Sequence, residues 1–361
     1  MKILIDGHSL SNPQKTGKHF HTISLIRSIL SHKEAKKHQF HILITSLKKF
    51  PIKNQQLTII KARSGLKFYL DFINLQKKYD LIISPTSYIP PLLTKTPTLT
   101  FIYDLAVFHN HQFKPNMKAQ LIEKTLLKHV IKKSRLITMT KSIKKEVVNL
   151  FPNQKMQIDI IPGFSKFSGK STPRLKKPSS PYILFVGTFE PRKNLINTII
   201  GYSKCIIQLK KNNQIIPKLY LVGGKGWQQK KFSNVINKLG LTKYIKIWGY
   251  VSEKKLSHLY QNALFISFIP FYEGFGLPVI EAIAYQKPVL TSNQSTLKEV
   301  LGPCGISVNP KNTNKIADSM YKLSTNPHLR ITYKKATNKW IKEFSPKNSA
   351  NKFYKIIEKY N

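Results

Sequence analysis

Short, mostly apolar runs recur along the chain. They alternate with segments in which apolar residues return every third or fourth position. KILID, FHILIT, LTII, DLIIS, TLTFIYD and RLITMT occupy the first half, and IDIIPG, ending at Gly163, closes it. Runs this short read as strands. Between the first two runs, Ile23, Ile26, Ile29 and Leu30 recur at helical spacing. The second half restarts with YILFVG and continues through LYLVGG, IKIWGY, LFISF, PVLTS and GISVN, with helical patterns between them. Strands alternating with helices predict parallel α/β architecture.

The break between the halves is compositional. SKFSGKSTPRLKKPSSP is rich in Ser, Pro and Lys and reads as a linker. The expected organisation is an N-terminal Rossmann-like domain over 1–165, a linker over 166–180 and a C-terminal Rossmann-like domain over 181–345. A last helical pattern over 346–361 follows Pro346. Two such α/β units of similar size predict a pair of domains facing a cleft, with ligands beyond the carboxyl ends of the strands.

The segment FYEGFGLPVIEA, Phe271 to Ala282, concentrates candidate chemistry. Its glycines let backbone approach a ligand closely. Pro278 suits the first position of a helix, where its missing N–H costs nothing. The free amides and the positive dipole end of that helix then face the glycine loop, an arrangement suited to phosphate. This reading puts Glu281 in the first helical turn and leaves Glu273 on the loop. The two carboxylates would reach different ends of one ligand.

That segment resembles the double-glutamate motif of glycosyltransferase family 4, whose members use nucleotide sugars with retention of configuration. The resemblance implies that Glu273 lies near the donor sugar and Glu281 binds the nucleotide ribose. It also implies that backbone at Gly274, Phe275, Gly276 and Leu277 contacts sugar and diphosphate. FVGTFEPRKN is similar to the family's donor-phosphate segment, which brings in Gly187 and makes Lys193 the diphosphate-binding lysine. Relatives often carry Arg directly after that glycine; Thr188 stands there instead, and Arg192 is the candidate substitute. IWGYVSEKKLSHLYQNA matches the segment lining the nucleobase pocket, with Tyr250 and Val251 as main-chain contacts; Ser252 also reads as a helix N-cap.

In the first half the likeness is looser. Thr16, Gly17 and Phe20 fit the family's glycine loop against the donor phosphates, whereas Lys18 and His19 depart from it. Asp104 follows the acceptor-side strand as in relatives, but Tyr103 replaces their histidine, so chemistry assigned to that histidine does not carry over. Thr140 stands where relatives have Ser. The resemblance implies the GT-B architecture, two Rossmann-like domains with the C-terminal helix crossing back to the N-terminal one. Its activity would be transfer of a hexose, mannosyl or glucosyl in type, from a nucleoside-diphosphate sugar to a glycan or lipid-linked acceptor in cell-surface polysaccharide biosynthesis. Glu273, Lys193 and Arg192 are the catalytic candidates.

Composition adjusts this picture at its edges. The chain has 361 residues, 41% of them hydrophobic, enough for two cores. Sixty Lys plus Arg stand against 16 Asp plus Glu, a formal net charge of +44. Such a field draws nucleotide sugars, anionic lipid heads and nucleic acid alike. The lysines are spread as pairs, Lys77-Lys78 and Lys132-Lys133 among them, with no arginine-rich arm, zinc spacing or stacking motif for nucleic acid. No apolar run reaches membrane-span length and the N-terminus reads as a strand, so the expected location is cytoplasmic; the charge suits either a patch for the inner membrane face or a compositionally basic, solvated surface. His19-x-His21 and His109-x-His111 lack further ligands at metal spacing, and no Asp-x-Asp clamp is present, so neither metal nor other cofactor is expected. Cys205 and Cys304 fit reduced core positions. The competing function is a non-catalytic nucleotide-sugar, polyanion or nucleic-acid binding protein on the same fold. The presence of both glutamates and Lys193 together argues against it.

Overall fold

The computed structural model describes the chain except residues 12–16, 47–49, 51, 110–116, 168–177, 225–228, 295 and 361. Two units emerge, Met1–Lys166 with Phe344–Asn361, and Phe167–Glu343. The boundary falls at the start of the Ser/Pro/Lys-rich stretch, most of which lies outside the described residues.

The first unit is built on β1 (Lys2–Asp6), β2 (Gln39–Ile44), β3 (Leu57–Lys61), β4 (Leu81–Ser84), β5 (Thr98–Ile102), β6 (Arg135–Thr138) and β7 (Ile158–Ile160). Its helices are α1 (Gly17–Leu30), α2 (Leu66–Gln76), α3 (Met117–Lys133) and α4 (Lys141–Leu150). The strands form one parallel sheet in the order β3-β2-β1-β4-β5-β6-β7. Every residue of β4 and β5 is buried, as expected of strands with helices on both faces, whereas edge strand β3 is largely exposed. Ile23, Ile26, Ile29 and Leu30 form the buried face of α1.

The second unit repeats the plan. It contains β8 (Tyr182–Val186), α5 (Leu195–Lys211), β9 (Lys218–Val222), α6 (Gln229–Lys238), β10 (Ile245–Gly249), α7 (Glu253–Asn262) and β11 (Phe265–Phe268). It continues with α8 (Leu277–Ala284), β12 (Val289–Ser292), α9 (Leu297–Leu301), β13 (Gly305–Val308), α10 (Thr313–Thr325) and α11 (Pro327–Trp340). Its parallel sheet runs β10-β9-β8-β11-β12-β13. Both sheets have the Rossmann order, in which the chain winds outward from the first strand and then crosses to its other side. The switch point lies between β1 and β4 in one unit and between β8 and β11 in the other. Loops leaving those strand ends diverge and open a crevice for ligand.

The last helix, α12 (Pro346–Ile357), belongs to the first unit. Ser345 caps it by accepting from the Asn348 N–H. It packs on α1: Tyr354 donates its hydroxyl to the Ile29 carbonyl at 2.9 Å, and Ser28 donates to the Pro346 carbonyl at 2.6 Å. Cys205 and Cys304 are buried free thiols, both pushed by burial up to about 12 and therefore inert.

Candidate active site

The switch point of the second unit brings together Gly187, Arg192 and Lys193 after β8 with the Glu273 loop and α8 after β11. After β8 the chain makes a 3-10 turn, Pro191–Lys193, and reaches Asn194 with φ of 57°. Asn adopts this left-handed backbone more readily than most non-glycine residues. The Asn194 side-chain NH2 donates to the carbonyls of Ile269 at 3.0 Å and Pro310 at 2.8 Å. The Phe271 N–H donates to the Arg192 carbonyl at 2.9 Å. The loops after β8 and β11 are thus stitched together backbone to backbone.

This stitching brings charges into contact. Lys193 Nζ lies 2.5 Å from Glu273 Oε2, and Arg192 Nη1 lies 2.6 Å from the same oxygen. Arg192 Nη1 also donates to the Tyr272 carbonyl at 3.1 Å. Lys193 is only 7% exposed, with its ammonium 5.1 Å from the centre of the Phe268 ring. Burial pulls the Lys193 pKa below its ordinary value, and the Glu273 carboxylate opposes that pull. One carboxylate oxygen shared by two partly desolvated cations forms a strong charge-assisted contact.

The glycine loop is held from behind. Thr296 Oγ1, fully buried, lies 2.9 Å from the Gly274 carbonyl and 3.1 Å from the Glu273 carbonyl. Gly276 takes φ of +85° as the cap of α8, and a Cβ there would meet Leu297 Cδ2 at 2.3 Å. The dihedral favours glycine, and a Cβ there would also push the buried Leu297 side chain aside. Two expectations need correction. With Gly276 as the cap, Leu277 opens the helix and Pro278 is its second residue. Pro278 remains in the turn whose amides lack helical partners, so its missing N–H is still harmless. Glu281 accordingly sits in the second turn, beyond the first-turn position read from the sequence. There it is 7% exposed, and its Oε2 accepts from the Tyr260 hydroxyl at 2.9 Å.

Glycines bring the neighbouring strand ends close together. The Gly187 N–H donates to the Val222 carbonyl, and the Gly223 N–H donates to the Gly249 carbonyl, both at 2.9 Å. A Cβ on Gly223 would lie 1.8 Å from the Gly187 oxygen. Tyr250 follows, 78% exposed, then Val251, half-buried, and Ser252, whose hydroxyl caps α7 by accepting from the Lys255 N–H. Arg192, Lys193 and Glu273 are therefore in direct contact, while Glu281 is anchored separately from below by α7.

The first-unit candidates have their own setting. Gly17 is the exposed first residue of α1. Asp104 is paired with Lys18 at 3.0 Å, so the residue that departs from the family pattern partners the one that keeps it. Tyr103 is buried, its hydroxyl 2.9 Å from Thr22 Oγ1 and 3.2 Å from His21 Nδ1, which fastens β5 to α1. Thr140 caps α4 by accepting from the Ile143 N–H. Thr16, His111 and the loop following Gly224 lie outside the described residues. Among the described residues, no group of three His, Cys, Asp or Glu side chains is placed to hold a metal, and no helix is long and apolar enough to cross a membrane.

Asn194, Tyr260 and Thr296 were not singled out in the sequence. Asn194 ends the FVGTFEPRKN segment, but nothing in that segment marks its left-handed backbone. Tyr260 and Thr296 act on residues distant along the chain, Glu281 and the Gly274 loop, and only the tertiary fold joins them.

Comparisons with known proteins find similar glycosyltransferases. Residues 170–340 match the family model described as glycosyl transferases group 1. The chain is 26% identical over 315 residues to O-antigen chain mannosyltransferase B of Escherichia coli, covering 83% of this chain and 79% of that protein. Among solved structures, sucrose-phosphate synthase from Thermosynechococcus elongatus superposes with a TM-score of 0.78 at 18% identity, covering 99% of this chain and 98% of that one. Anabaena HepE, solved in complex with UDP and glucose, gives a TM-score of 0.73 at 14% identity, covering 99% of this chain and 100% of that one. At those identities the structural likeness speaks for the GT-B fold.

Proposed function

We propose that this chain, a glycosyltransferase of GT-B architecture, moves a hexose from a nucleoside-diphosphate sugar to a glycan or lipid-linked acceptor during assembly of a cell-surface polysaccharide. The observation that carries the reading is the Glu273 carboxylate held between Lys193 and Arg192 on the glycine loop that opens α8. The two cations and the α8 N-terminus form an anion site for the donor diphosphate. Glu273 serves the reacting sugar, Glu281 the ribose, and the backbone at Tyr250 and Val251 the base. Asp104 is the acceptor-side candidate. The match to an O-antigen chain mannosyltransferase supports mannose as the first sugar to test.

Retention by double displacement requires two carboxyl groups roughly 5 Å apart, one acting as nucleophile. Glu273 and Glu281 suit that poorly, being tied to different partners on a loop and in a second helical turn. Substitution on one face fits better, with the leaving diphosphate taking the acceptor proton. Lys193, Arg192 and the helix N-terminus then stabilise the departing charge. No divalent ion is needed in this scheme, so activity should persist in chelator.

The decisive assay offers GDP-mannose and UDP-glucose in turn, with a lipid-linked glycan acceptor, and identifies the product by mass spectrometry and its anomeric configuration by NMR. A new glycosidic bond of the donor's configuration is expected. Nucleotide binding without transfer to any acceptor would leave only a binding protein.

A peripheral membrane location is part of the same reading. Helix α3 exposes Met117, Leu121 and Ile122 on its solvent side, with Lys118, Lys128 and Lys132 alongside. Apolar residues ringed by lysine suit the boundary layer of an anionic bilayer, where a lipid-linked acceptor resides.

A further inference from the structure

Beneath Glu281, the helices α7 and α8 are joined by a reciprocal pair of hydrogen bonds. Tyr260 of α7 donates its hydroxyl to Glu281 Oε2 of α8 at 2.9 Å. Tyr285, at the end of α8, donates its hydroxyl to Ser257 Oγ of α7 at 2.6 Å. The two tyrosine rings are stacked, 5.5 Å between centres and 5° between planes, and Phe167 packs against both. Tyr260 is completely buried. Burial and then the Glu281 charge push its phenol well above the ordinary range, so it keeps its proton and acts as a constant donor.

We infer that Tyr260 is a positioning residue for nucleotide recognition, fixing the Glu281 carboxylate in the orientation that receives the ribose hydroxyls. A glutamate has three side-chain torsions, and freezing them before the ligand arrives removes an ordering cost from binding. The lock also joins two parts of one site. Helix α7 begins directly after Tyr250 and Val251, and α8 carries the ribose carboxylate, so a bond from α7 to α8 sets base and ribose contacts in fixed register. The inference rests on the proposal that Glu281 binds ribose.

The test measures calorimetric affinity for GDP and UDP and for their 2′,3′-dideoxy counterparts. It uses the full-length wild type and the Tyr260→Phe, Tyr285→Phe and Glu281→Gln variants. Tyr260→Phe keeps the ring and its stack, so core volume hardly changes. It should weaken binding of the better ribonucleotide about tenfold, the size of one lost hydrogen bond to a charged group. The dideoxy form should change less than about twofold. In transfer assays the loss should fall on the donor KM and leave kcat at saturation near wild type. Tyr285→Phe removes only the other half of the pair and should spare the discrimination between sugars. Equal losses for both sugar forms, equal losses in the two tyrosine variants, or no loss in Tyr260→Phe would each overturn the inference. If Glu281→Gln discriminates between the sugars and Tyr260→Phe does not, Tyr260 alone loses its role. If Glu281→Gln does not discriminate either, the ribose assignment falls and the inference with it.

Discussion

At the scale of single residues, Glu273 is the centre of the site, and its contacts make a testable split between binding and turnover. Its Oε2 occupies both cations that the donor diphosphate would use. On the proposed reading, replacing the carboxylate by an amide frees Lys193 and Arg192 from a competing anion and removes the group that would serve the sugar. Glu273→Gln should therefore bind nucleoside diphosphate as tightly as wild type or tighter, while kcat falls. Lys193→Ala removes a charge aimed at the leaving group, typically worth roughly 3 kcal/mol, or about a hundredfold in rate. Arg192→Ala should cost less, since Arg192 is the more exposed partner. Steady-state kinetics beside calorimetry checks all three; a Glu273→Gln variant that loses nucleotide affinity in step with rate argues against this division of labour. Two other buried residues, in the first unit, set opposing pH dependences. Asp6 is raised by burial to about 6 from 3.8, so the folded state holds its proton while the unfolded chain has released it. Stability from this group falls as pH rises between those values. His21 is lowered by burial to about 4 from 6.5, so the unfolded chain binds the proton first and stability is lost as pH falls through that window. Each shift corresponds to roughly 3 kcal/mol. Because the two nearly cancel, Asp6→Asn should expose a steep loss of stability on acidification from pH 6.5. His21→Gln should expose the reverse slope, stability falling from pH 4 to 6. Urea titrations across that range test this, and one common slope for wild type and both variants would show that neither group carries the effect.

At the scale of elements, α8 and the loop before it determine whether the site exists. Gly276→Ala must place a side chain at φ of +85° and against Leu297. The left-handed backbone costs about 1–2 kcal/mol and overpacking about 1–3 more. Shortening Leu297 relieves the second penalty and leaves the first. Gly276→Ala and Leu297→Ala should thus destabilise by less together than the sum of the single changes, with activity still impaired in the double variant. Additive losses in denaturant titrations would mean that the contact between them carries no strain. The same elements show how far the sequence could be read. Strands such as β4, β5, β8 and β11 are legible because burial on both faces leaves short runs with few and small polar residues. The motif glutamates, Lys193 and the glycines were legible because their chemistry is local. The start of α8 differs by one residue from the sequence expectation because the cap falls at Gly276, whose φ of +85° is not marked by residue type alone. The Tyr260–Glu281 bond had no local signal, since Tyr260 at its helical position reads as ordinary core.

At the scale of the whole molecule, a net charge of +44 acts on folding and on membrane binding in opposite senses as salt is added. Self-repulsion of so many lysines destabilises the compact state, and screening relieves it, so the melting temperature should rise with sodium chloride. Attraction to an anionic bilayer is screened over the same distance, about 10 Å at 0.1 M, so vesicle binding should fall. Each lysine near the surface contributes up to about 1 kcal/mol, so a handful on one face suffices for reversible association. Charge alone would leave any face equally able to bind. The exposed apolar residues of α3 break that symmetry, because insertion of Leu121 and Ile122 adds a contribution that salt does not screen. Co-sedimentation with vesicles containing phosphatidylglycerol should therefore retain a residual, salt-resistant fraction in wild type. Leu121→Ser with Ile122→Ser should abolish that fraction while leaving the low-salt binding largely intact. Lys132→Gln with Lys133→Gln should do the converse, as should changes at Lys77 and Lys78 if that pair shares the face. Should lysine substitutions spread over the second unit weaken binding as much as those on α3, bulk charge is the whole explanation and the chain has no membrane-facing side.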